Sequence, residues 1–408
     1  MTSVTSKSVK APSSAARSMI QSAQLPSANV GAQTLVPDFS FAAQGWSLQA
    51  HSGQRISPVF AGNEEQATKE IISMLTAAVR RTGRMHIVCG LIPFSTSEPA
   101  SLLLTDNVTM TPRSLPECAS EGNGLPINTP TPTTRSVVPD SPHYRKTVAQ
   151  ALNHIATGRV KKIVLSRRMR VSLPDQMAPE RAVKTLLQHL NVTNPTADVF
   201  HMRLENQQYW LGASPEVVAD VHNGTLMSHP LAGSRPRLPG QDAPDPNFHS
   251  ANKDQREHAY VVDHIRESLA NMAEYISSPV PPQLFATDCM WHLGTRITAK
   301  LCADISALTA ALRLHPTPAV CGSPVAEATK VISELEQSSR GFYSGLVGWT
   351  DAHGNGRWSL VLRSAELNPT HITLHAGAGV VDGSDPAAEH AETAAKFGTM
   401  LAAIGGLK

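Results

Sequence analysis

Apolar residues recur along this chain at two spacings, one helical and one alternating. Ile71, Ile72, Leu75 and Val79 share a helical face, which predicts a helix capped by Asn63 and running through Thr82. Further helices are predicted from Ser141-Pro142 to Gly158, from Ala178 to Leu190, from Asp254 to Tyr275, from about Ala303 to Arg313, and from Ser323-Pro324 through about Ser339. Irregular short strands are expected within Asp38 to Ser57. The runs MHIVCGLIPF, from Met85, and KKIVLSRRMRVSL, from Lys161 to Leu173, read as buried strands, the second polar at both ends. Asp198 to Arg235 reads as almost continuous strand, and Asn223-Gly224 between alternating flanks marks a hairpin. Gly345 to Trp349, Trp358 to Leu367 and His371 to Ala376 are the last strands. After them comes a Gly-rich turn, then a helix with Asp385 as N-cap and Pro386 in its first turn. Pro112 to Pro142 is dense in Pro, Thr and Ser and reads as a linker or long surface loop.

Strands therefore come as antiparallel hairpins broken by single helices, without the βαβα alternation of a doubly wound fold. The expected class is α+β: large antiparallel sheets covered by helices, in one unit from residue 38 to residue 408. Residues 1–37 contain no acidic residue and are rich in Ser, Ala and Thr, with Lys7, Lys10 and Arg17. They read as a disordered extension, and an organellar transit peptide has the same composition.

Charge adds little to this picture. Lys and Arg number 35 and Asp and Glu 33, so nothing global favours nucleic acid or an anionic membrane. No apolar run approaches the length of a bilayer span. Five scattered cysteines, none in a CxxC pair, read as free thiols of a reduced, cytoplasmic protein.

Several polar residues stand where chemistry is favoured. Glu389, Glu392 and Lys396 are spaced i, i+3, i+7 and share one face of the last helix. Asp254 and Glu257 form an i, i+3 pair in the first turn of an earlier helix. Either set alone fits a solvated helix face or ordinary acidic enrichment at a helix N-terminus. Taken together, they are two acidic pairs that suit one Mg²⁺ and an anionic substrate. Lys162 opens a mostly buried strand and by itself fits a surface lysine at a strand edge; as a base it needs its charge suppressed, which burial, a metal and the cations Lys161, Arg167 and Arg168 close in sequence would favour. Glu216, in WLGASPEVV, is flanked by apolar residues: it reads either as a paired structural glutamate or as a partly desolvated carboxyl whose raised pKa suits a general acid. Arg363 lies in the apolar strand WSLVLRSAEL and calls for a buried carboxylate partner. Tyr343 offers a hydroxyl, Gly377 and Gly379 allow close backbone approach, and His292 is a lone polar residue in an apolar run, most simply structural.

The strings KIVLSR, GASPE, PLAGS, KDQREH, LHPTPAVCGSP, GFYSG, VLRSAEL and AGAGVV…DPAAEHAET occur in this order from about Ser141 to the C-terminus. Together they resemble the chorismate-utilising enzymes, which include isochorismate, salicylate, anthranilate and aminodeoxychorismate synthases. The resemblance implies a sandwich of antiparallel sheets flanked by helices, as in anthranilate synthase component I, and it makes a monomer the expected state. It also implies Mg²⁺-dependent attack on chorismate with loss of a ring hydroxyl. In that scheme Lys162 activates water for attack at C2, and Glu216 protonates the departing C4 hydroxyl. Glu257 and Glu392 bind Mg²⁺ directly, and Asp254 and Glu389 do so through water. Tyr343, Arg363 and the Gly377 backbone hold the enolpyruvyl carboxylate. Lys396 and His292 make further substrate contacts, and Gly233 and Ser234 flank the ring.

Three positions separate the members of the family. Lys162 marks a water user, since ammonia users lack that lysine. Ala232 stands where aminodeoxychorismate synthases carry a nucleophilic lysine. Ala319 stands where salicylate synthases tend to carry Thr. The resemblance therefore implies an isochorismate synthase, with a salicylate synthase or a non-catalytic chorismate-binding homologue as the alternatives.

Overall fold

Alternation sorts the side chains of Ile87–Ile92 between two cores: Ile87, Cys89 and Leu91 turn to one, Val88 and Ile92 to the other. The same sorting runs through the whole structure, a computed structural model that describes residues 36–113, 135–173, 178–237, 252–279, 281–287, 290–336 and 338–405. Their strands form antiparallel sheets of ten, nine and three strands. The two large sheets pack face to face as a sandwich. Phe39, Phe41, Phe200 and Trp210 of the ten-stranded sheet meet Cys89, Leu103, Val347 and Trp349 of the nine-stranded one. Each such buried aromatic or aliphatic side chain contributes roughly 1.5–3 kcal/mol.

Seven helices are described: α1 (Glu64–Thr82), α2 (Ser141–Ala156), α3 (Pro179–Thr193), α4 (Asn252–Ala270), α5 (Ala307–Leu314), α6 (Val325–Leu335) and α7 (Pro386–Ala403). The outer face of the nine-stranded sheet is covered by α1, α4 and α5. The outer face of the ten-stranded sheet is covered by α3 and α7 at one place and by α2 and α6 at another. This is the α+β sandwich expected from the sequence. The hairpin at Asn223-Gly224 is also present, both residues having positive φ (48° and 70°).

Some boundaries differ from expectation. Asp140, one residue before the expected start, caps α2 by accepting from the His143 amide. Asn63 precedes α1 but makes no side-chain cap bond. The helical apolar spacing of α4 stops at Leu269. The chain then turns, and Ala273–Ser277, with Tyr275, becomes a strand on Ile297–Leu301. Ser306, not Ala303, begins α5, its hydroxyl accepting from the Thr309 amide. Within the expected 112–142 loop, Arg135–Val138 is a strand paired with Arg168–Val171. Residues 114–134, residues 1–35, Cys118 and Cys289 lie outside the described residues.

The largest differences fall near the chain's end. Trp358–Leu367 is two strands: Gly356–Leu360 belongs to the nine-stranded sheet and Ser364–Leu367 to the ten-stranded one. The expected Gly-rich turn after Ala376 is strand as well. His371–Val381 pairs residue for residue with Lys162–Ser172, without a bulge.

Candidate active site

The chain crosses from the ten-stranded to the nine-stranded sheet at Pro215–Glu216 and returns at Val361–Arg363. The two crossings are joined by their backbones. The Leu360 amide donates to the Glu216 carbonyl (3.0 Å), and the Ala213 amide donates to the Arg363 carbonyl (3.1 Å). Arg363 takes this corner with φ 46°, so it lies in the break between two strands and not within one. Both side chains end up buried at one end of the sandwich. Burial pushes the Glu216 carboxyl up to about 8, even though the Leu231 amide and the charges of Lys162, Lys396 and Arg363 oppose the rise. Arg363 is 9% exposed, and among the described residues no carboxylate pairs with it. The protein partner expected for this guanidinium is not supplied.

One wall is the inner face of the long strand pair. Lys162 and Val164 share that face with His375, Gly377 and Gly379. The glycines are there for space: a Cβ on Gly377 would lie 3.0 Å from the Tyr343 hydroxyl, and one on Gly379 would overlap Glu257 Oε1. Lys162 is fully buried, with Nζ 3.1 Å from Glu257 Oε1. The cations expected to suppress its charge do not surround it. Lys161 is exposed, and Arg167 turns to the opposite face, donating to Thr393 Oγ1 (2.8 Å) and lying over the Tyr144 ring. Arg168 shares the face of Lys162 but stands roughly 20 Å along the strand. The charged group beside Lys162 is therefore an acid.

Two helix starts supply the carboxylates. Gly233, φ 70°, forms a bulge whose missing Cβ lets the first turn of α4 approach; a Cβ there would lie 2.8 Å from the Asp254 carbonyl oxygen. Asp254 accepts from Arg235 Nε and Nη2 (3.1 and 2.9 Å), yet burial raises its carboxyl. Burial would also raise Glu257, but Lys162, Lys253 and Lys396 together bring it below the usual range. On α7, whose start Asp385 caps through the Ala387 and Ala388 amides, Glu389 accepts from Lys253 Nζ (2.6 Å). Burial and the neighbouring Glu392 push Glu389 up to about 7. Glu392 pairs with Lys396 (2.5 Å), which also donates to the Gly377 carbonyl (2.9 Å). Ser234 Oγ bonds His292 Nδ1 (2.7 Å), and burial holds that imidazole neutral.

Eleven of the residues singled out in the sequence line one cavity: Glu216, Ala232, Ser234, Glu257, His292, Ala319, Tyr343, Arg363, Gly377, Gly379 and Lys396. Its volume is about 50 Å³, room for a water or two, so a ring dicarboxylate requires these side chains to part. Lys162 stands behind Glu257. Gly233, Asp254, Glu389 and Glu392 form an outer row that does not line the cavity.

Among the described residues, no three His, Cys, Asp or Glu side chains converge as a metal site, since each carboxylate is held by a lysine or arginine. The donor set still suits a hard divalent cation, being carboxylate oxygen throughout. Added positive charge would also relieve the repulsion that raises Glu389. Lys253 and Arg235, which hold the outer carboxylates, were not singled out from the sequence. The available signal was adjacency: each is next to a residue that was, Lys253 to Asp254 and Arg235 to Ser234.

No helix among the described residues is long and apolar enough to cross a membrane. The chain is 34% identical over 382 residues to the vibriobactin-specific isochorismate synthase of Vibrio cholerae, covering 90% of this chain and 91% of that one. It is 35% identical over 369 residues to isochorismate synthase EntC of Escherichia coli, covering 89% of each. The crystal structure of DhbC from Bacillus anthracis superposes with a TM-score of 0.82 at 32% identity, over 91% of this chain and 96% of that one. Anthranilate synthase component I of Streptococcus pneumoniae, at 17% identity and a TM-score of 0.68, shares the fold over 97% of this chain and 100% of that one. Residues 79–405 match the chorismate binding enzyme family, and the chain belongs to it.

Proposed function

We propose that this protein is an isochorismate synthase, converting chorismate to isochorismate by attack of water at C2 and loss of the C4 hydroxyl. The observation that carries the proposal is one cavity holding a buried carboxyl raised to about 8, Glu216, beside a buried guanidinium without a protein partner, Arg363. Glu216 keeps its proton at neutral pH and can pass it to a departing hydroxyl. A substrate carboxylate would give Arg363 the partner that the protein itself does not provide, with the Tyr343 hydroxyl on the same cavity wall. Ala232 and Ala319 line the same cavity without a nucleophile, which supports water as the attacking group.

Glu257 and Glu392 are the proposed direct ligands of Mg²⁺, with Asp254 and Glu389 acting through water; an ion bound there supplies positive charge to the ring carboxylate. Lys162, fully buried with Nζ 3.1 Å from Glu257 Oε1, is the proposed base that takes a proton from the attacking water. Base and acid are each expected to supply roughly a hundred- to ten-thousand-fold.

The deciding experiment is a product assay with purified protein, chorismate and Mg²⁺, following salicylate fluorescence and pyruvate release in parallel. Isochorismate approaching a mixture with chorismate, without salicylate or pyruvate, is the expected result. Equal amounts of salicylate and pyruvate would make the chain a salicylate synthase instead. No consumption of chorismate, with or without the metal, would leave a binding protein.

A further inference from the structure

The inner face of the ten-stranded sheet carries a second cavity, of about 600 Å³. Strand register builds its floor. Arg170, Thr373, Glu366 and Trp210 stand opposite one another across four adjacent strands, and Arg168 and His375 form the next row. Trp210 and His375 are 4% and 6% exposed, and neither indole Nε1 nor imidazole Nε2 has a hydrogen-bond partner. Such buried polar atoms are costly to leave unmet. Their rings lie 5.2 Å apart, tilted by 31°. Among the described residues neither Arg168 nor Arg170 closes an ion pair, although both act on Glu366 through space.

This lining can donate more than it can accept. A guanidinium and an indole N–H are donors only, and two arginines face one carboxyl. The volume suits a small organic molecule, and flat rings bound one side of it. We propose that this cavity binds a small aromatic carboxylate, its anion on Arg168 and Arg170 and its ring along Trp210 and His375. His375 is also a wall of the first cavity, where it stacks on Tyr343 at 5.2 Å, so the two sites share a partition.

The test is calorimetric titration of the full chain with 2-hydroxybenzoate, in a variant whose first cavity has lost its carboxylate clamp, Arg363→Ala. One equivalent is expected to bind this protein still. Adding Arg168→Ala and Arg170→Ala should weaken binding roughly tenfold or more. Trp210→Phe, which keeps a ring and deletes the N–H, gives a second reading and should weaken binding by a smaller factor. Loss of all binding in Arg363→Ala would overturn the proposal, as would unchanged affinity in the arginine variants. Equal affinity for inorganic phosphate would also overturn it, since the ring would then play no part.

Discussion

Glu257 Oε1 stands 3.1 Å from Lys162 Nζ, and the space that lets it do so is the missing side chain of Gly379. Gly379 has an ordinary strand conformation, so alanine there adds no backbone strain, only a methyl group in the carboxylate's place. Gly379→Ala is therefore expected to fold while pushing Glu257 off Lys162. Turnover should fall by about a hundred-fold or more, the scale of losing a positioned base. Steady-state kinetics beside a melting curve checks this; near-normal turnover would show that the pair is not needed.

Glu216 gives a prediction with a definite sign. Its carboxyl is raised in the folded state to about 8, from an ordinary value near 4.5, so folding favours the protonated form. That group's contribution to stability is complete below the ordinary value and is lost as pH rises toward about 8. Glu216→Gln removes the titration. The variant should melt higher than the parent, by a margin larger at pH 9 than at pH 6, while losing most activity. Parallel thermal scans at the two pH values decide the matter, and a margin that shrinks with pH would contradict the assignment. The parent's own activity should decline on the alkaline side as Glu216 gives up its proton.

Arg363 carries its charge into the cavity without a protein counter-ion. Removing it should relieve the fold of an unpaired buried charge, so Arg363→Ala is expected to melt no lower than the parent. Binding of a carboxylate substrate should suffer: kcat/KM is expected to fall by roughly a hundred- to thousand-fold, on the scale of a buried charge-assisted contact. A variant that unfolds, or that keeps its kcat/KM, would assign Arg363 a purely structural role.

The proposed ion site predicts a metal titration. Glu392→Gln keeps the size of the side chain and removes its charge. The Mg²⁺ concentration for half-maximal activity should rise by about tenfold or more, the scale on which metal-site changes weaken affinity. An unchanged titration would take Glu392 out of the ligand set.

The sandwich and most of its elements were legible because alternation and helical spacing are local signals. Glu216 was legible for the same reason: apolar neighbours on both sides foretold the burial that raises its pKa. What could not be read depends on partners far away in the chain. Gly377 and Gly379 look like a turn locally, yet they are strand, paired with Ser166 and Val164, and the side chains they lack are the space Tyr343 and Glu257 fill. Arg363 looks like mid-strand, yet it sits where one sheet hands the chain to the other. The surroundings of Lys162 were misjudged because neighbours in sequence alternate to opposite faces, while Glu257 arrives from a helix almost a hundred residues on. Lys253 and Arg235 went unnoticed because a cation beside an acid reads as ordinary surface charge, and nothing local shows that Glu389 and Asp254, which they hold, are buried.

The two crossings that carry Glu216 and Arg363 are tied to each other by backbone hydrogen bonds, independent of either side chain. The proposed proton donor and the proposed anion clamp are thus two prongs of one staple. Their separation is the fixed ruler of the site. The lysines and acids of α4 and α7 are mounted separately, so any parting of the cavity for a substrate falls to those helices. If the proposed reaction is right, a change in the choice of reaction falls to the small residues around the ruler, Ala232 and Ala319, which line the same cavity.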